Sequence, residues 1–312
     1  MSAADALFHA GELAVQTRLG VRERVAQYAP RMVRDHMPEQ HRAFYAQLPF
    51  LILGGVDPAG WPWASLCWGA PGFLETPDAR HLRMTARPAA GDPLWELLRP
   101  GAAVGGLGIE LATRRRNRLS MHVAAVDAAG VSFAVDQAYG NCPQYIHPRA
   151  LSGASPAPQP VRRFRTLAAA DAGLIAAADT CFVASVAPGD GAATPSSADV
   201  SHRGGAAGFV RVSGSTLTVP DYRGNRHYNT LGNFAVYPRA GLCFVDFVRG
   251  DLLLLTGTVA MIWDGDARLD GLDGAERAWT FTLDHGLRLP GVLPLRWYDV
   301  APGTSRGGEA TS

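Results

Sequence analysis

Residues 198–212 read ADVSHRGGAAGFVRV. The stretch joins a polar cluster, Ser201-His202-Arg203, to a Gly-Gly pair and then to the strand-like GFVRV, and its glycine-phenylalanine step has a twin. Gly72-Phe73 precedes Gly208-Phe209 by 136 positions (208 less 72), and Leu119-Ser120 precedes Leu255-Thr256 by the same interval (255 less 119). Two anchors in one register imply an internal repeat. Between them the order also matches: a strand, a short apolar helix ending near RPGAAV or YPRAGL, another strand, then RLSMHVAAV or LLLLTGTVAMIW. Upstream, GWPWAS faces AATPSS. Pro62 to Gly72 spans ten positions where Pro195 to Gly208 spans thirteen, so three extra residues in the second copy are expected around SHRGG.

Around these anchors the chain alternates short β-rich runs with turn residues: FLILGGV, WPWASLCWG, HLRMTA, VGGLGIEL and RLSMHVAAVDAAGVSFAV. GDPLWELLRPG reads as a short helix capped by Asp92 and closed by Gly101. The first 49 residues carry helical spacing, with MPEQHRAFYAQL opening on a proline suited to a first turn. LSGASPAPQP, Leu151–Pro160, is the linker candidate, because small residues and prolines build no core, and TLAAADAGLIAAAD after it is helical.

Composition narrows the chemistry. The chain has 312 residues, 47% of them hydrophobic, enough for two ordinary cores. Its 29 basic and 28 acidic residues leave a net charge of +1, which gives no reason to expect a nucleic acid or a membrane as partner. No apolar run approaches the roughly 18 residues of a membrane span, and MSAADALFHAGELAVQTR lacks the order of a secretion signal, so a cytoplasmic location is expected. Cys67, Cys142, Cys181 and Cys243 form no CxxC pair, so neither a disulfide scaffold nor a metal site is expected. There is no lysine, which removes Schiff-base chemistry and the P-loop lysine. Any bound phosphate must be held by arginine, hydroxyls or backbone N–H groups.

PSSADVSHRGGAAGFVRV, LTVPDYRGNRHYNTLGNFAVYPRAGLCFVDF and LLLLTGTVAMIWD resemble the pyridoxamine 5′-phosphate oxidase-like, FMN-binding split-barrel family. WPWASLCWGAPGF, GLGIELATRRRNRLS and YGNCPQYI resemble the first half of its two-copy members, and the likeness covers most of 50–300. It implies a mainly β (α+β) fold: two tandem split β-barrel copies packed as a pseudo-dimer, with FMN where the barrels meet. The expected division is an N-terminal helical extension at 1–49, copy 1 at 50–138, a connecting segment at 139–178, copy 2 with the phosphate site at 179–302, and a disordered tail at 303–312.

A dianionic phosphate needs donors converging on one point, and arginine's fork meets it bidentately while glycines let backbone N–H groups approach. Ser201, His202, Arg203, Gly204 and Gly205 offer one such set, and Asn225, Arg226 and Asn229, around an expected helix start, a second. Alternation along TRRRNR points Arg114, Arg116 and Arg118 to one side, where Arg116 or Arg118 reaches across to the cofactor or instead guards a solvated edge. Two readings stand for Cys142: a residue lining the pocket, and a small turn residue. His202 has three: orienting phosphate, donating to a flavin oxygen, or donating to a substrate. Both are the candidates for a catalytic role. The function expected is flavin redox chemistry on a small-molecule substrate. The alternatives are a flavin or haem carrier, and an electron-transfer module served by a reductase or iron–sulfur partner.

Overall fold

The computed structural model of the protein describes residues 7–189 and 195–300. The tail expected at 303–312 lies outside the described residues. Three helices lead the chain, α1 (Ala10–Arg18), α2 (Arg22–Met32) and α3 (Glu39–Gln47). Gly20, at φ +63°, breaks α1 from α2, and Pro38 sits one position before α3 as its N-cap.

Copy 1 contains β1 (Phe50–Val56), β2 (Pro62–Trp68), β3 (Leu74–Asp78), β4 (His81–Met84), α4 (Leu94–Leu97), β5 (Ala103–Glu110), β6 (Arg115–Asp127) and β7 (Gly130–Gly140). Two short strands follow, β8 (Arg149–Gly153) and β9 (Arg162–Phe164), then α5 (Ala169–Ala177). Copy 2 contains β10 (Thr180–Pro188), β11 (Pro195–Gly204), β12 (Arg211–Ser213), β13 (Thr216–Asp221), α6 (Asn229–Val236), β14 (Arg239–Asp246), β15 (Asp251–Ile262) and β16 (Arg277–Leu289), and β17 (Leu295–Asp299) closes the described chain.

The two sheets have one topology. The first runs β2-β1-β5-β6-β7-β4-β3 and the second β11-β10-β14-β15-β16-β13-β12, antiparallel throughout. Ala103 pairs with His122 and Arg239 with Thr258, so both partners of this ladder shift by 136. Each long hairpin also slips register at the same point, between Ser120 and Met121 and between Thr256 and Gly257. A bulge conserved between two copies of one chain marks a designed bend of the sheet.

The turn that anchors the repeat is equally duplicated. Gly72 and Gly208 both hold positive φ, and a Cβ on Gly69 or Gly205 would press on Phe73 or Phe209. SLCWG and SHRGG therefore face each other without insertion, which corrects the expected three extra residues there. Phe50 pairs with Trp68 and Thr180 with Gly204, offsets of 130 and 136, so the added length lies in the β10–β11 connection. An insertion in the strand would turn its inward side chains outward, whereas a hairpin loop absorbs added length.

The sheets pack reciprocally: β1 touches β11 and β10 touches β2, while β5 meets β11 and β14 meets β2. Gly105 of β5 has its Cβ position 2.7 Å from the backbone of Asp199–Val200, and Gly241 of β14, 136 positions on, has its own 2.5 Å from that of Pro62–Trp63. Only glycine lets two backbones approach so closely, and the exchange of identical partners is that of a twofold interface.

Three local expectations change. Pro93 is the N-cap of α4, with Asp92 one position ahead of it accepting from Leu94 N at 2.8 Å; the helix stops at Leu97, and Gly101 instead turns the chain into β5, donating to Val123 O. The linker candidate begins as strand, Leu151 pairing with Trp297, and its later residues lie along 290–294, with Ala154, Ala157 and Gln159 donating to Pro294, Gly291 and Pro290. An extended proline-rich segment keeps enough free N–H groups to lie against a neighbour. Arg114 sits at φ +58° in the turn before β6, so the alternation joins only Arg116 and Arg118. Among the described residues no helix is long and apolar enough to cross a membrane.

Candidate functional site

The three segments singled out by sequence meet at one place. Asn141, beside Cys142, accepts from Asn225 Nδ2 at 2.9 Å, so the loop after β7 touches the loop before α6. Tyr145 O packs where Gly204 lacks a Cβ, and His147 Nε2 donates to Gly205 O at 2.6 Å. Any side chain at Gly204 would push that loop off β11.

Between these loops lies a cavity of about 70 Å3, lined by Arg116, Cys142, Tyr145, His202, Arg203, Asp221 and Arg223 among others. Liquid water occupies roughly 30 Å3 per molecule, so the cavity has the size of an anionic head group and not of a whole nucleotide. β6 of copy 1 supplies Arg116, and β11 of copy 2 supplies His202 and Arg203. Arg116 Nη1 donates to His202 Nδ1 at 3.0 Å. With Nδ1 accepting, His202 carries its proton on Nε2, and burial together with Arg116 and Arg203 holds its pKa well below the ordinary value. The ring is thus a neutral donor.

Nε of Arg116, Nε of Arg203 and Nε2 of His202 are buried without a protein partner. Unpaired buried donors are costly, and these three belong to residues that line one cavity. Its one carboxylate, Asp221, lies 3.7 Å from Arg203 and 3.4 Å from Arg277. Burial nonetheless raises the Asp221 pKa against both arginines. Burial also lowers Arg116 to about 10, with Arg118 and Arg203 adding repulsion. The site is short of negative charge, and a group rich in acceptor oxygens would complete it.

Of the other residues anticipated from sequence, Arg226 does not line the cavity, and Ser201, Arg118 and Asn229 have partners elsewhere. Ser201 Oγ bonds Thr230 Oγ1, tying β11 to α6. Arg118 is ion-paired with Asp199 and lies over the Tyr139 ring at 5.4 Å. Asn229 donates to Glu12 and accepts from Tyr139 at 3.3 Å. Arg226 and Tyr228 both hold left-handed φ, +63° and +60°, an uncommon strain for non-glycine residues that recurs at functional sites.

Sequence reading missed the contribution of α1. Along the interface from the arginine cavity, a larger cavity of about 290 Å3 is walled by His122, Asp136 and Tyr139 of copy 1, Asp199, Asn229 and Asn233 of copy 2, and His9 and Glu12 of α1 and its cap. His9 Nε2 donates to Asn233 Oδ1 at 2.7 Å, and Glu12 accepts from His9 N at 2.9 Å. Burial pushes the Glu12 carboxyl up to about 8. The only sequence signal was the H-x-x-E spacing of a capping box at 9–12.

The pseudo-symmetric position is different. At an offset of 136, Arg116 and Arg118 correspond to Leu252 and Leu254, and His202 and Arg203 to Leu66 and Cys67. All four of these counterparts are buried in the hydrophobic core. The arginine cluster thus has apolar counterparts, while beside them on the mate side a cavity of about 670 Å3 opens, walled by Trp63, Asp92, Trp95, Arg163, Phe164 and His285.

The chain resembles the pyridoxamine 5′-phosphate oxidase-like split barrels. Solved structures with likeness to this doubled barrel include a candidate pyridoxamine 5′-phosphate oxidase of Lactobacillus delbrueckii, with 15% identity over 34% of this chain and 95% of that one, TM-score 0.28. A FAD-binding protein of Mesorhizobium loti shares 13% identity over 41% of this chain and 97% of its own, TM-score 0.29. The heme storage protein HutZ of Vibrio cholerae shares 15% over 36% and 87%, TM-score 0.26. No family model matches the chain, and no curated protein matches it. What establishes the doubled barrel is the shared strand order, register and bulge within the chain itself.

Proposed function

We propose that the protein is an FMN-dependent oxidoreductase acting on a small molecule, with one cofactor site formed jointly by the two copies. The observation that carries this reading is the set of buried, unpartnered donors on Arg116, His202 and Arg203. They suit a phosphate, which offers several acceptor oxygens and the negative charge the cavity lacks. When bound, FMN would supply hydride or single-electron chemistry. In this reading Arg116 and Arg203 grip the phosphate from opposite copies, and His202 adds a neutral donor whose orientation Arg116 fixes. The cavity walled by Tyr139 and Asn229 would take the rest of the cofactor, with His9 and Glu12 forming one wall of it. A small-molecule substrate and, if reduction is indirect, a separate reductase or iron–sulfur protein would be the partners.

The test is the visible spectrum of the purified protein followed by addition of NADH or NADPH. A band near about 450 nm that bleaches supports direct reduction of a bound flavin. A haem spectrum, or failure of the protein to bind FMN on titration, would overturn the reading.

A further inference from the structure

The chain's four cysteines divide sharply. Cys67, Cys181 and Cys243 are buried, and burial raises all three thiols. Cys142 is exposed and lines the arginine cavity with Arg116, Arg203 and Arg223. Its loop is held rather than loose: Asn141 N donates to Arg116 O at 3.2 Å, Asn225 holds the Asn141 side chain, and the Tyr145 ring lies 5.1 Å from that of Tyr222. A second feature at the same cavity calls for a ligand. His202 is 5% exposed and its Nε2 has no partner.

We propose that Cys142 is a thiol–disulfide exchange site selective for anionic low-molecular-weight disulfides, which the arginine cavity draws to the sulfur. Reactive cysteines occupy electropositive, accessible surroundings, and a cleft lined by one sign of charge raises the local concentration of oppositely charged reagents. In the exchange, the Cys142 proton goes to water and Sγ attacks one sulfur of the reagent. A new S–S bond forms as the old one breaks, and its electron pair departs on the released thiolate. Cys142 is oxidised to a mixed disulfide and half of the reagent is reduced to a thiolate. Arg116, Arg203 and Arg223 would steady the negative charge of the incoming reagent and of the leaving group. The inference rests on the cavity's charge and applies to the cofactor-free protein, because a phosphate held by Arg116, His202 and Arg203 would occupy the same cavity.

The probes are 5,5′-dithiobis(2-nitrobenzoate), which is dianionic, and 2,2′-dithiodipyridine, which is neutral, each followed by absorbance with the full-length protein freed of any bound cofactor. The anionic probe should release one equivalent of thiolate per chain in a fast phase that Cys142→Ser abolishes. Arg223→Ala removes an exposed charge and should slow this probe about fivefold, the factor that ~1 kcal/mol of Coulomb energy in water represents. The neutral probe's rate should stay unchanged. Inorganic phosphate should slow the anionic probe alone. If both probes respond equally to Arg223→Ala and to phosphate, or if the fast phase survives Cys142→Ser, the proposal is wrong. Charge-selective exchange in a protein that binds no FMN would sink the flavin reading and leave this one standing.

Discussion

Arg203 and Glu12 illustrate the two ways a residue's role is set here. Arg203 sits between Asp221, at 3.7 Å, and an Nε left without a partner. Arg203→Ala is expected to weaken FMN binding by about 2 kcal/mol, the worth of a charge-assisted contact in a partly buried site. A fluorescence titration measures it, and unchanged affinity would place the phosphate elsewhere. Glu12 makes a pH prediction. Its folded pKa of about 8 lies above the ordinary 4.5, so the folded state holds a proton that the unfolded chain releases, and stability falls as pH rises through this interval. Below about 6.5 the depressed histidines His9, His41, His202 and His227 give a slope of the opposite sign. The clean window is therefore pH 6.5–8, where the melting temperature should decline in the native protein and stay level in Glu12→Gln. A flat profile for both would show that Glu12 is ionised throughout.

At the scale of elements, legibility followed how local the signal was. The hairpins β1–β2 and β6–β7 and the helix α5 stood out because alternation or helical spacing and the bounding turn residues lie within the segment itself. β3, reading LETPD, has little alternation and owes its place to pairing with β4, and in β8 Leu151 pairs with Trp297 of β17, 146 positions away (297 less 151). No local pattern encodes such a partner. The site divided likewise: SHRGG, GNRHYN and NCPQYI were visible as unusual clusters, whereas the turning away of Ser201 toward Thr230 and the seating of α1 on α6 depend on packing. That seating is close. The Cβ position of Gly232 in α6 lies 2.6 Å from the backbone of Glu12, so Gly232→Ala should part the two helices. At the copy interface, Gly105→Ala should destabilise the protein by roughly 1–3 kcal/mol, the usual penalty of overpacking, read as a lower denaturation midpoint. A neutral result would mean that the two backbones are not in contact there.

For the molecule as a whole, duplication built a symmetric frame and substitution then made it asymmetric. In the strand register, Arg116 and Arg118 face Asp199 and His202 across one side of the interface, while Leu252 and Leu254 with Leu66 and Cys67 stand buried at the matching positions on the other. No arginine stands at those four positions, and Asp92, hydrogen-bonded to Ser65, puts a carboxyl in the wall of the neighbouring cavity. Arg116 comes from copy 1 and Arg203 and Arg223 from copy 2, so on the reading proposed above neither copy alone would hold FMN. Titrating cofactor-free protein with FMN and following flavin fluorescence to its end point tests this directly. One FMN per chain is the predicted stoichiometry, and an end point of two, or none, would contradict the account.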